Sequence, residues 1–280
     1  HQEMTEEQGI KLKLFIGCCL MFIDGTPDLV VYPRDRPAYG QLCRLLSEGK
    51  KRAEIKGKCH LVLEDFLFRA KDFQTVVMPS GQPDEDLGPV LKKLSVVAPG
   101  CVWLGLAMSY EGADRRHGEQ LERIATTAGV PLLAVNNVLY HTASRRPLQD
   151  VLTCIRDHVT IDTAGRRLEK NAERHLKSPE EMQHLFRHFP LALEEIRRFT
   201  APVTFSLGEL QYHYPDEPVP PGKTPQQHLA DETWKGAAKR YPDGIPEMVR
   251  DLLNKELTLI ATLGYAPYFL TVHDIVTYLS

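Results

Sequence analysis

Over the first 135 residues, short apolar runs of strand character alternate with stripes of apolar residues at helical spacing. That alternation, at the pace of βαβ units, confines the chain to α/β architectures: sheets or barrels whose ligands gather at the C-terminal ends of strands. Lys11 to Cys18 (KLKLFIGC) alternates and then turns apolar, and Leu29 to Tyr32 is a second β-like run. From Arg36 to Glu48, residues Ala38, Leu42, Leu45 and Leu46 share one helical face, with Asp35 as N-cap and Gly49 as the stop. Thr75 to Met78 reads as a strand, Leu87 to Leu94 as a helix and Cys101 to Ala107 as an apolar strand. Leu121, Ile124, Ala125 and Ala128 line a further helix that Gly129 ends, and Pro131 to Val135 is a short strand buried on both faces.

After Tyr140 the texture becomes helical. Leu148 to Ile155 is one helix, and Ser178-Pro179-Glu180-Glu181 starts another, with Ser at the cap, Pro at the first position and Glu at the third. Its apolar face holds Met182, Leu185, Phe186 and Phe189, and a helix from Leu191 to Phe199 follows. Tyr212 to Pro225 carries five prolines in fourteen residues, too many for regular structure, so it reads as an extended connector. The expected division is 1–211, a connector at 212–225 and a second domain at 226–280. In the latter, Val249, Leu252, Leu253, Leu257 and Ile260 form a stripe stopped by Gly264. Pro267 to Ser280 is a helix so apolar that it needs a partner domain.

A chain of 280 residues can bury a sizeable core as one large or two moderate domains. With 42% apolar and 25% charged residues, disorder and a disulfide-packed miniprotein are poor readings. A net charge of −3 argues against a uniformly basic nucleic-acid coat while leaving room for a local basic groove. No run approaches the ~18 apolar residues of a membrane span. The six cysteines show no C-x-x-C spacing, which fits reduced thiols and a cytoplasmic location. The chain opens on His1, and the residues through Gln8 read as a helix already under way with Gly9 as its stop, as expected of a piece of a longer polypeptide.

Chemistry-bearing motifs are sparse. Eleven histidines invite a metal reading, but no H-x-H or H-E-x-x-H occurs. His60, His117 and His141 fall in or beside loops, and His175, His184 and His188 in helical, charge-rich surroundings. There is no G-x-S-x-G elbow, no P-loop and no G-x-G-x-x-G fingerprint. Asp84, Glu85 and Asp86 cluster in a loop and read as a solvated turn. Basic groups at Lys50-Lys51-Arg52, Arg115-Arg116, Arg145-Arg146, Arg166-Arg167 and Arg197-Arg198 could clamp phosphates, but acidic neighbours favour solvated helix faces.

Three stretches carry a family resemblance: AYGQLCRLLSEGKKRAE from Ala38, RRPLQDVLTCIRDHVTIDTAGRRLEKNAERHLKSPEEM from Arg145, and ELTLIATLGYAPYFLTVHDIV from Glu256. They resemble the bacterial error-prone DNA polymerases, relatives of the DNA polymerase III alpha subunit in polymerase family C. The resemblance implies most of a PHP domain, a distorted (β/α) barrel whose first strands, with an H-x-H motif, would lie upstream of His1. The start of the polymerase palm would follow. Metal-retaining relatives carry an acidic residue where this chain has Cys19, and an N-D-V-H motif aligns with Asn136-Asn137-Val138-Leu139. An amide and an aliphatic side chain thus stand where ligands are expected, so no catalytic, cofactor-binding or metal residue is assigned. The barrel reads as a scaffold.

For the parent protein, the resemblance implies Mg2+-dependent nucleotidyl transfer onto primer-template DNA from deoxynucleoside triphosphates. The palm's glycine/serine-rich loop and aspartates would lie beyond Ser280, and no motif makes Asp274 catalytic. It also implies damage-induced translesion synthesis and repair alongside mutasome proteins and a sliding clamp. Two other readings compete: a metal-dependent phosphoesterase in the PHP barrel, and an interaction module that docks partners through Ile275 and Val276.

Overall fold

The structure is a computed structural model that describes residues 13–79, 86–210 and 219–279. The stretch expected to open the chain as a helix, Asp84, Glu85 and much of the proline-rich stretch lie outside the described residues. Internal contacts divide the chain into two units, His1–Glu209 and Leu210–Ser280.

The first unit is built on a five-stranded sheet in the order β1 (Cys18–Leu20), β2 (Asp28–Pro33), β3 (Phe73–Met78), β4 (Val102–Ala107) and β5 (Leu132–Val135). β1 and β2 pair antiparallel, as do β2 and β3, whereas β3, β4 and β5 run parallel. The helices Leu87–Val97 and Asp114–Ala128 are the crossovers between the parallel strands. Among the described residues the sheet is open: β1 and β5 are its two edges, and the strands do not close into a barrel.

Alternation along the strands splits the apolar residues between two faces. Val77, Leu104, Leu106, Leu132 and Ala134 join a large core with Leu42 and Leu45 of the helix Arg36–Arg52, Leu91 and Leu94 of Leu87–Val97, and Leu121 of Asp114–Ala128. Each fully buried leucine there contributes about 1.5–3 kcal/mol. Val76, Trp103 and Leu133 point to the other face, against Phe199 of the helix Pro190–Thr200.

Several local expectations hold. Asp35 Oδ1 accepts the Ala38 N–H at 2.8 Å and starts Arg36–Arg52. Ser178 and Glu181 cap Pro179–Leu185 reciprocally, at 3.2 and 2.7 Å. Gly129 (φ 72°) and Gly264 (φ 68°) end their helices in the left-handed region that glycine enters without strain.

Others need correction. The first strand begins at Cys18, and the described residues before it, from Lys13, are not in a strand. Gly49 is no stop: it is buried within a helix that continues to Arg52. A Cβ there would lie 2.6 Å from Cys59 Sγ and 2.7 Å from Leu61 Cδ2, so the glycine lets the Cys59–Leu61 segment pack against the helix. His175 is not helical but forms an isolated bridge with Tyr140. Pro225 is not part of a connector either. It opens the helix Pro225–Arg240, absent from the sequence reading, whose cap is Thr224 accepting from Gln227 N at 3.2 Å.

The second unit comprises Pro225–Arg240, Glu247–Leu263 and Ala266–Leu279 around a small core of Leu229, Ile260, Ala266 and Leu270. Leu252, Leu259, Ile275 and Val276 are half exposed or more. Among the described residues no single helix is long and apolar enough to cross a membrane.

Candidate functional site

In a parallel α/β sheet the C-terminal strand ends are where loops can bring side chains together. Because β2 opposes β3, its first residue Asp28 pairs with Met78 at that same edge, and the loop after β5 begins there at Asn136. Beside it, on the sheet face that carries Val76 and Leu133, lies a cavity of about 500 Å3. Its wall is largely apolar, formed by Tyr32, Met78, Val135 and Phe199, with Asn136 and Asn137 as its amides.

Aromatic packing fixes one side of the cavity. Phe199 meets Tyr32 edge-on at 5.3 Å and Trp103 edge-on at 5.0 Å between ring centroids. Trp103, only 1% exposed, donates its indole N–H to Glu195 Oε2 at 2.8 Å, which satisfies the buried donor. Burial pushes the Tyr32 hydroxyl above its ordinary pKa, so it stays protonated at neutral pH.

The loop after β5 is shaped by main-chain hydrogen bonds. Asn137 has φ 44°, a left-handed conformation that asparagine tolerates better than most residues, and its carbonyl accepts from Arg174 Nε at 2.8 Å. Leu139 N donates to the Arg174 carbonyl at 2.8 Å, and Asn136 Nδ2 donates to the His175 carbonyl at 2.6 Å. Arg174 is itself held by Glu169 at 2.6 Å. Neither the cavity nor this latch has a motif in the sequence.

Three positions singled out from the sequence bear on metal binding. Cys19 pairs in register with Val30 and therefore shares the cavity's sheet face. Burial, then the Asp28 carboxylate and the neighbouring Cys18, push its thiol above the ordinary value, which disfavours the thiolate that binds a soft ion. Asn137 offers a neutral amide, and Leu139, 37% exposed, offers no donor atom in its side chain. This donor set does not fit a hard divalent cation. Among the described residues no three His, Cys, Asp or Glu side chains converge as a metal cluster requires.

The histidines are dispersed. His175 Nδ1 lies 2.8 Å from the Ala172 carbonyl, His184 Nε2 lies 3.4 Å from Arg187 Nη1, and His60 contributes its carbonyl to Arg52. Most basic doublets have a member spent on local pairs: Arg52 with Asp65, Arg115 with Glu119, Arg146 with Asp150 and Arg198 with Glu195. Asp86 directly precedes the helix Leu87–Val97 and makes no side-chain cap bond.

Comparison with known proteins covers what this geometry leaves open. The family described as Bacterial DNA polymerase III alpha NTPase domain matches residues 227–280. The error-prone DNA polymerase of Brucella abortus biovar 1 (strain 9-941) is 59% identical over 278 residues, covering 99% of this chain and 26% of that protein. The chain is similar to the error-prone DNA polymerases along nearly its whole length. The error-prone DNA polymerases of Rhodopseudomonas palustris (strain BisB5) and Bradyrhizobium sp. (strain ORS 278) are 53% and 51% identical, each over 99% of this chain. The chain spans about a quarter of the length of these error-prone polymerases, 24–26%.

Proposed function

We propose that this chain is a segment of an error-prone, DNA-directed DNA polymerase and that the segment supplies architecture to that enzyme. The observation that carries the reading is 59% identity maintained over 99% of the chain. The five-stranded sheet is read as part of a PHP-type barrel whose remaining strands lie outside this sequence, and residues 226–280 as the entry to the palm. The parent enzyme would join deoxynucleoside triphosphates to primer-template DNA. Mg2+ would be held by palm carboxylates that this sequence does not carry and would stabilise charge on the transferring phosphoryl group. Damage-induced translesion synthesis and repair in the cytoplasm, with mutasome proteins and a sliding clamp as partners, complete the proposal.

The scaffold reading is supported by the poor donor set at Cys19, Asn137 and Leu139. In the intact protein, Cys19→Ala and Asn137→Ala are expected to leave primer extension within about twofold and bound manganese, measured by elemental analysis, unchanged. The competing reading, a metal-dependent phosphoesterase in the barrel, requires stoichiometric metal and phosphoester turnover that Asn137→Ala removes. Either of those results would displace the scaffold proposal.

A further inference from the structure

On the helix Arg146–Asp157, Leu148, Val151, Leu152 and Ile155 stand at i, i+3, i+4 and i+7, a spacing that in a globular domain turns inward. Here it turns outward: the four side chains are 54%, 49%, 51% and 65% exposed. The helix is seated by its opposite side, where Thr153 and Cys154 are buried and Arg146 Nη2 donates to the Glu169 carbonyl at 2.6 Å. The aliphatic stripe is therefore surplus to what holds the helix in place.

Its surroundings are basic. Arg145 precedes Leu148 by three residues and Arg156 follows Leu152 by four, so arginines bracket both ends of the stripe. Nearby carboxylates are already engaged, Asp150 with Arg146 at 3.6 Å and Glu169 with Arg174 at 2.6 Å. Arg156 meets Asp157 at 2.9 Å in an exposed pair of a kind that contributes little and exchanges readily. Arg166 and Arg167 are exposed in the turn Gly165–Arg167, and Arg167 is within electrostatic range of Asp157. Of the three acids between residues 141 and 168, Asp162 is exposed, and Asp150 and Asp157 are paired with Arg146 and Arg156.

We propose that this stripe is the docking site for an acidic amphipathic helix of another protein. Aliphatic side chains of that helix cover Leu148, Val151, Leu152 and Ile155, while its carboxylates face Arg145 and Arg156. An apolar centre within a charged, solvated rim is the anatomy of a non-obligate protein interface. A second copy of this chain is disfavoured, because antiparallel pairing of the two helices sets arginine against arginine at both ends. A membrane surface is disfavoured by the short stripe and its lack of aromatic residues. The inference does not depend on the polymerase reading.

The test titrates the intact protein into a fluorescein-labelled helical peptide of about 18 residues, with leucine at the two core heptad positions and glutamate flanking them. Anisotropy is expected to rise to saturation and the affinity to fall roughly tenfold between low and high salt. Val151→Asp with Ile155→Asp, both at exposed positions and checked for folding by circular dichroism, is expected to weaken binding at least tenfold. Arg145→Glu with Arg156→Glu is expected to reject the acidic peptide and take up its lysine-flanked counterpart. The proposal is overturned by absence of saturable binding, by equal binding of the lysine peptide to the unaltered protein, or by undiminished binding to either double variant. Self-association or vesicle binding that the aspartate substitutions abolish would overturn it equally.

Discussion

The Cys59–Leu61 segment makes its closest approach to the helix Arg36–Arg52 at one residue, Gly49. Gly129 and Gly49 both follow a helical apolar stripe, and from sequence both read as stops. The first is one, with φ 72° at the end of its helix, whereas the second lies inside its helix, three residues before Arg52, with no room for a methyl group. The difference lies in Cys59 and Leu61, ten and twelve residues further on, which no local pattern links to position 49. Gly49→Ala would gain up to about 1 kcal/mol of helix propensity but incur about 1–3 kcal/mol of overpacking. Urea denaturation is therefore expected to show a net loss of up to about 2 kcal/mol, and Cys59→Ala in the same chain to restore part of it. A gain of about 1 kcal/mol in Gly49→Ala would mean that the close approach is relieved without cost.

At the level of elements, legibility follows capping chemistry. Ser178-Pro179-Glu180-Glu181 was readable because cap, proline and acid coincide before an apolar run. Thr224-Pro225-Gln226-Gln227 has the same logic, but the prolines before it mask the start of a helix. β1 lies beyond most of the alternating run from Lys11, because its three residues owe their conformation to pairing with β2 and not to their own alternation. The short helix Leu63–Leu67 has a cap that no motif reveals. Asp65 accepts both terminal nitrogens of Arg52, at 2.5 and 2.9 Å, and the Val62 N–H at 3.0 Å.

The hydrogen bond from Arg52 is the chief reason the Asp65 carboxyl lies below the ordinary carboxylate range; partial burial opposes it and the Val62 N–H assists. A depressed native pKa stabilises the fold above the unfolded value of about 3.9, and that contribution disappears as pH falls through the native value. Asp65→Asn should thus lower stability at neutral pH by about 1–2 kcal/mol and flatten the acid limb of the stability–pH curve. Parallel acid limbs in the two proteins would exclude the linkage.

On the scale of the whole molecule, the alternation of strands and helical stripes made the α/β class legible, since a period is a property of neighbours. Sheet order, openness and the cavity were not, because they depend on pairings between distant segments. Each unit has its own core, and the two tryptophans fall one in each: Trp103 in the first and Trp234 in the helix Pro225–Arg240. With four buried apolar residues in its core against more than twenty in the first, among the described residues, the second unit is expected to lose structure at the lower urea concentration. Single-tryptophan variants Trp103→Phe and Trp234→Phe report this separately by fluorescence, and coincident curves would show one cooperative transition instead.

The loop that follows β5 carries a different lesson. Two of its peptide groups, at Asn137 and Leu139, are pinned by Arg174, so its course at Leu139 is set without help from that side chain, while the left-handed φ at position 137 favours asparagine. At position 139 such a segment can exchange one residue type for another and keep its form. The contour of a loop held in this way says nothing by itself about what its side chains can bind.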